Sequence, residues 1–170
     1  MSEIGKSMDK AVEAIADKEG KYLTFALADE EYGISIMKTQ EIIAMMKITT
    51  IPQTPEFLKG VINLRGKVIP VVDLRLRFGM EAIDYTDRTC VIVVEIEGQA
   101  GSVLMGIAVD SVSEVLDIKG EDIEDTPTFG TKLNTEDILG MAKVEGGVKI
   151  LLNIDRVLCA DEVILLDKSA

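Results

Sequence analysis

Gly60-Val-Ile-Asn-Leu-Arg-Gly-Lys-Val-Ile-Pro-Val-Val-Asp-Leu74 reads as two short aliphatic strands joined tightly at Gly66. Val, Ile and Leu fill the runs on both sides of the turn, as a pleated, half-buried surface requires. Pro70 lacks an N–H and argues for an edge or a bulge within the second run. Asp73 stands where an N-cap belongs, ahead of a short helical turn over 74–78. The pattern recurs 80 residues later: Gly60, Gly66, Val68, Val71, Val72 and Leu74 align with Gly140, Gly146, Val148, Leu151, Leu152 and Ile154, and Asp73 with Asn153. A second, ungapped match joins residues 33–43 to 106–116, in which Gly33 meets Gly106 and Glu41 meets Glu114. Glycines and a glutamate coincide as well as aliphatics, so the repeat is more than a shared taste for Val and Ile. Apolar strands leave edges that must be paired or covered, and small barrels do this with about five strands. The chain therefore reads as mainly β: two pseudo-repeated small β-barrels, one from about 21 to 80 and one from about 87 to 155, with short helices and a C-terminal helix over about 155–166 that packs across them.

Outward from this core, Tyr22–Leu27 and Tyr32–Ile36 alternate around the polar Asp29-Glu30-Glu31 and form a hairpin. Residues 1–20 place Ile4, Met8, Val12 and Ile15 near helical spacing and read as an N-terminal arm or a short helix. Met37 to Ala44 has the apolar side of a short helix, and Lys47 to Ile51 reads as a strand ended by Pro52 and Pro55. Glu81 to Asp87 is a polar connector at the junction of the halves. Thr89–Ile96, Val103–Val109 and Ser113–Ile118 are strands, with a hairpin loop over 97–102. Gly120 to Asp137 is acidic loop with at most one helical turn. Ile138–Val144 and Val148–Ile154 pair around Gly146-Gly147, and Asp155 caps the terminal helix.

Composition narrows the function. The 170 residues carry a net charge of −12 and no histidine. An acidic chain repels phosphate backbones and anionic lipid surfaces. Without histidine, the commonest general base, metal ligand and partner of a Ser or Cys nucleophile is missing. No Walker-type loop and no Gly-x-Gly-x-x-Gly run occurs. Glu121, Asp122, Glu124 and Asp125 make an acidic loop whose spacing does not match a calcium loop. Cys90 and Cys159 are too far apart for a metal knuckle or a redox dithiol, and Cys90 reads as a small core residue. The N-terminus has no apolar secretory segment, and no run approaches the roughly 20 apolar residues of a membrane helix. A cytoplasmic, non-enzymatic protein without cofactor or metal is the expectation. Two barrels side by side also create a groove that suits an apolar helix ridge.

Several stretches carry a family resemblance. They are Phe25 to Ile36 with Gln40-Glu41-Ile42, Pro52-x-x-Pro55-x-Phe57-x-Lys59 running into Gly60–Gly66, Val68 to Arg75, and Gly106 to Val115. Together they resemble the CheW family of chemotaxis coupling adaptors over about 21–166. The resemblance implies two five-stranded SH3-like barrels and no catalysis. It implies binding to the regulatory domain of the histidine kinase CheA and to the cytoplasmic tip of methyl-accepting chemoreceptors, at membrane-associated receptor arrays. Position by position, Thr39, Glu41 and Gly60 match sites that contact kinase or receptor. Arg65, Val91, Gly106 and Val115 match sites tied to the receptor. Each has a plain structural alternative: backbone geometry for the glycines, core packing for the valines, a solvated surface for Glu41, an ion pair for Arg65.

Other readings remain in view. One is a regulatory or scaffold module of another two-component pathway, for example pilus-based motility. A second is the regulatory lobe of a longer kinase, against which the opening Met1 and its polar arm weigh. A third is a small enzyme or ligand-binding barrel, which needs a convergent polar constellation that the sequence does not offer.

Overall fold

The structure is a computed structural model and describes residues 18–98, 101–125 and 137–158. Strands β1 (Gly20–Leu27) and β2 (Glu30–Ser35) form the first hairpin, with Ala28 at φ 55° in its turn. A single 3-10 turn, Ile36–Lys38, leads into β3 (Thr39–Ala44). The helix expected over 37–44 is thus one turn followed by a strand. Tertiary pairing overrides the helical spacing here: β3 lies along β6 (Cys90–Gly98) from Thr39↔Val94 to Ala44↔Cys90, where Ile42 and Ile43 fit the pleat. The strand expected at Lys47–Ile51 shrinks to one bridge, Thr49 to Val61, with N···O distances of 2.8 and 2.9 Å.

The Gly60 region folds as its sequence reads. Strands β4 (Leu58–Leu64) and β5 (Lys67–Asp73) are joined by Arg65-Gly66, and Asp73 caps α1 (Leu74–Arg77) by accepting from the Leu76 N–H. Pro70 does not lie on an edge, since β5 has neighbours on both sides. The parallel pairing of β5 with β7 (Gly101–Val109) starts at Val71, just beyond the proline, so no N–H is required of it. The second half follows with β8 (Ser111–Ile118), a 3-10 turn at Gly120–Asp122, β9 (Ile123–Glu124), β10 (Ile138–Val144), β11 (Gly147–Leu152) and α2 (Ile154–Leu158). Helix α2 starts one residue before Asp155. The carbonyl of Asn153 accepts from Arg156 and Val157, so Asp155 occupies the first turn instead of capping it. The remainder of the expected terminal helix, Cys159 and most of the N-terminal arm lie outside the described residues.

The strands form two sheets, ordered β8-β1-β2-β11-β10-β9 and β3-β6-β7-β5-β4. The sequence repeat is visible in them. Hairpin β1–β2 corresponds to β6–β7, β3 to β8, β4–β5 to β10–β11. The parallel contact Val71↔Gly106 is repeated as Leu151↔Gly33, the same residues that the repeat aligns. Even the strand-entry hydrogen bonds match: Asp73 N to Phe57 O and Asn153 N to Asp137 O are both 2.8 Å. Each repeat, however, lends its leading hairpin to the other repeat's sheet. The expected division at residues 80–87 therefore does not separate the two sheets, and each is built from both halves of the chain.

This exchange places the core. One cluster, with Leu23, Phe25, Leu27, Ile34, Val72, Ile92, Val94 and Ile107, draws on both sheets. A second is confined to the five-stranded sheet (Ile62, Ile69, Val71, Val91, Val93, Ala108), and a third to the six-stranded one (Tyr22, Ile118, Ala142, Leu151). Strand β6 alternates between the first two, and its run Cys90-Val-Ile-Val-Val-Glu-Ile96 is apolar on both faces for that reason.

Candidate functional site

Arg65 occupies the tight β4–β5 turn. Its φ of 51° and that of Gly66, 87°, fit a two-residue hairpin of the primed type, and the Asn63 side chain accepts from the Gly66 N–H at 2.8 Å. The turn throws the Arg65 side chain out into solvent, where it forms a bidentate pair with Glu41 on β3, Nη1 to Oε2 at 3.3 Å and Nη2 to Oε1. Glu41 holds the guanidinium above its ordinary pKa through that hydrogen bond, then through charge. The two residues, with Gln40, Leu64, Lys67, Ile69, Val93 and Leu104, line a cleft of about 280 Å³.

The other sheet has the counterpart of this cleft, larger at about 750 Å³. The repeat relates them residue by residue: Glu41 to Glu114, Leu64 to Val144, Arg65 to Glu145, Ile69 to Lys149, Leu104 to Glu31. The scaffold is retained and the chemistry changes. An exposed arginine becomes a glutamate. An apolar Ile–Leu floor becomes an ion pair of Lys149 with Glu31, whose carboxylate also accepts from Ser113 at 2.9 Å. Lys149 is buried, so this substitution is built into the second barrel. Sequence reasoning did not single out Glu31, Glu145 or Lys149. The repeat alignment held the signal, because it sets a lysine against the isoleucine of an otherwise aliphatic strand.

The residues singled out from sequence separate into surface and interior. Thr39, on β3, donates to the Ser35 carbonyl at 3.4 Å and is half-buried. Glu41 and Arg65 are brought together at the first cleft. Gly60 is a crossing point: at φ 143°, a Cβ would lie 2.1 Å from the Thr49 carbonyl oxygen. Val91 is fully buried, and a Cβ at Gly106 would lie 2.7 Å from its Cγ1, so these two are neighbours inside the barrel. Val115 stands apart from the rest, on β8 of the six-stranded sheet, and is 49% exposed. By the repeat it is the counterpart of Ile42 on β3, itself 45% exposed, so each barrel presents an apolar residue on an equivalent edge strand. Among the described residues, no group of three or more His, Cys, Asp or Glu side chains is arranged to hold a metal ion, and no helix is long and apolar enough to cross a membrane.

Comparison with known proteins agrees with this geometry. A family model described as "CheW-like domain" matches residues 21–162. The chemotaxis protein CheW of Klebsiella aerogenes is 40% identical over 150 residues, 88% of each chain. That of Rhizobium meliloti is 31% identical over 155 residues, covering 91% of this chain and 97% of the relative. The crystal structure of the scaffolding protein TtCheW from Thermoanaerobacter tengcongensis superposes with a TM-score of 0.73 at 39% identity, over 82% of this chain and 92% of that one. The repeated sheet plan, the full-length match and the identity converge: the chain belongs to the CheW-like domain family.

Proposed function

We propose that this protein is a non-catalytic chemotaxis adaptor that links the cytoplasmic tip of chemoreceptors to the regulatory domain of the histidine kinase CheA. The observation that carries the reading is the pair of related but chemically opposed clefts. A molecule that joins two different partners needs two docking surfaces that do not compete for the same ligand. Here one backbone plan supplies both, and Arg65 against Glu145 gives them opposite charge. Coupling of receptor state to kinase activity is then a free energy passed between two binding events on one body. The adaptor works in the cytoplasm, recruited to receptor arrays by its partners.

Within this reading the seven residues take two kinds of role. Thr39, Glu41, Arg65 and Val115 offer side-chain atoms to a kinase or receptor surface. Gly60, Val91 and Gly106 act from beneath, by fixing the backbone on which that surface sits. Titration calorimetry against a CheA regulatory domain from the same organism tests the proposal. Saturable binding in the micromolar range or tighter is expected. A well-folded sample that binds neither this domain nor a receptor-tip fragment overturns it, and binding to the regulatory domain of a different pathway's kinase would favour a scaffold of that pathway instead.

A further inference from the structure

The exchanged hairpins have a consequence for the whole chain. Strand pairs β1–β8, β2–β11, β3–β6 and β5–β7 all join residues before 80 to residues after 89. The polar ties cross in the same way: Arg75 with Asp110, Lys38 with Asp155, Lys149 with Glu31, Thr24 with Glu114. What each half keeps to itself is chiefly hairpins, β1–β2 and β4–β5 in the first, β6–β7 and β10–β11 in the second. An isolated hairpin is marginal in water, so neither half buries a core alone. The link between them is the segment 80–88, which has no regular secondary structure and is largely exposed. It is held down by Tyr85, whose hydroxyl donates to Asp73 at 2.9 Å, and by Arg75 donating to the Glu81 carbonyl at 3.4 Å.

We propose that segment 80–88 is a hinge through which two copies of this chain exchange halves, the first half of each pairing with the second half of the other. Such a dimer needs no new interface. Every strand pairing and ion pair that crosses the midpoint is kept, and what changes are the contacts of the hinge itself, among them Tyr85 with Asp73 and Lys59, Glu81 with Arg75, and Met80 against the core. The closed monomer is favoured by the high effective concentration of one half about the other, which vanishes once the hinge cannot span the gap. Exchange yields a particle with two complete copies of both clefts, and hence a bivalent adaptor.

Deleting Glu81 to Asp84 in the full chain tests this. Size-exclusion chromatography with light scattering should show a dimer whose circular dichroism matches the parent. A monomer with native ellipticity overturns the proposal. A deletion variant that fails to fold is resolved by a second experiment, in which full-length Gly60→Trp and Gly140→Trp chains are unfolded and refolded alone and together. Exchange predicts that the mixture alone forms a mixed dimer with one intact half-pair, recovering native ellipticity that neither chain attains by itself. A mixture that recovers no more than the separate chains overturns it.

Discussion

Three residues show how much a single side chain can carry. Gly106 faces Val91 across the interior of the five-stranded sheet, with room for a hydrogen and none for a methyl group. Gly106→Val forces an overpacked core, which costs about 2 kcal/mol. At this chain length the melting temperature should fall by roughly 4–8 °C in calorimetry. Arg65 makes the opposite case: its turn is exposed and its side chain pairs with the surface residue Glu41, so Arg65→Glu should leave the circular dichroism and melting temperature near those of the parent while weakening binding to a receptor-tip fragment. A collapse of the fold would instead make Arg65 a structural residue. Asp110 is the third. Burial pushes its carboxyl up, but the two hydrogen bonds from Arg75, at 2.7 and 2.6 Å, and the Ala28 N–H outweigh this and hold it below the ordinary value. A depressed carboxyl stabilises the fold above its unfolded pKa and loses that contribution as pH falls through the folded one. The stability given by Asp110 should therefore be intact at neutral pH and fade below about pH 4. Asp110→Asn should cost about 2 kcal/mol at pH 7 and flatten the acid limb of a urea-melt series.

At the scale of elements, burial sorts the strands. Strand β6 is packed on both faces and flanked by β3 and β7, whereas β9 is two residues long and, among the described strands, pairs with β10 alone. Native-state hydrogen exchange should find the slowest amides on β6 and β7 and the fastest strand amides on β9. Equal protection would mean that the sheet plan does not govern local opening. The elements also show why some were legible and others not. The β4–β5 and β10–β11 hairpins are set by local chemistry: alternating Val, Ile and Leu, a turn ending in Gly66 or Gly146, a cap at Asp73 or Asn153. Strand β3 is not. Its sequence suits a helix face equally well, and its state is decided by the edge of β6 beside it.

For the whole molecule, interleaving predicts cooperativity. Each sheet contains strands from both halves, and the largest core cluster spans both sheets. Melting either sheet alone would uncover the core cluster that both sheets share, and unfolding either half of the chain would strip strands from both sheets. Scanning calorimetry should give one transition with equal calorimetric and van't Hoff enthalpies. Two resolved transitions would show that the barrels are energetically separate.

The sequence by itself determined the β class, the repeat, the positions of most strands and the turn that presents Arg65, because these rest on alternation, glycine and capping within a few residues. It also carried the family resemblance that the comparisons bear out. Tertiary structure decided which strand lies beside which. Periodicity says that a strand has an apolar face but not whose face covers it, so the exchange of hairpins between repeats was invisible until the pairings were known. The same step decided which residues are accessible: Val91 and Val115 are both valines on strands, yet one lies inside a barrel and the other on an open edge. The twin clefts belong to this level too, since Glu31 and Lys149 stand 118 residues apart and meet only when β2 and β11 run side by side.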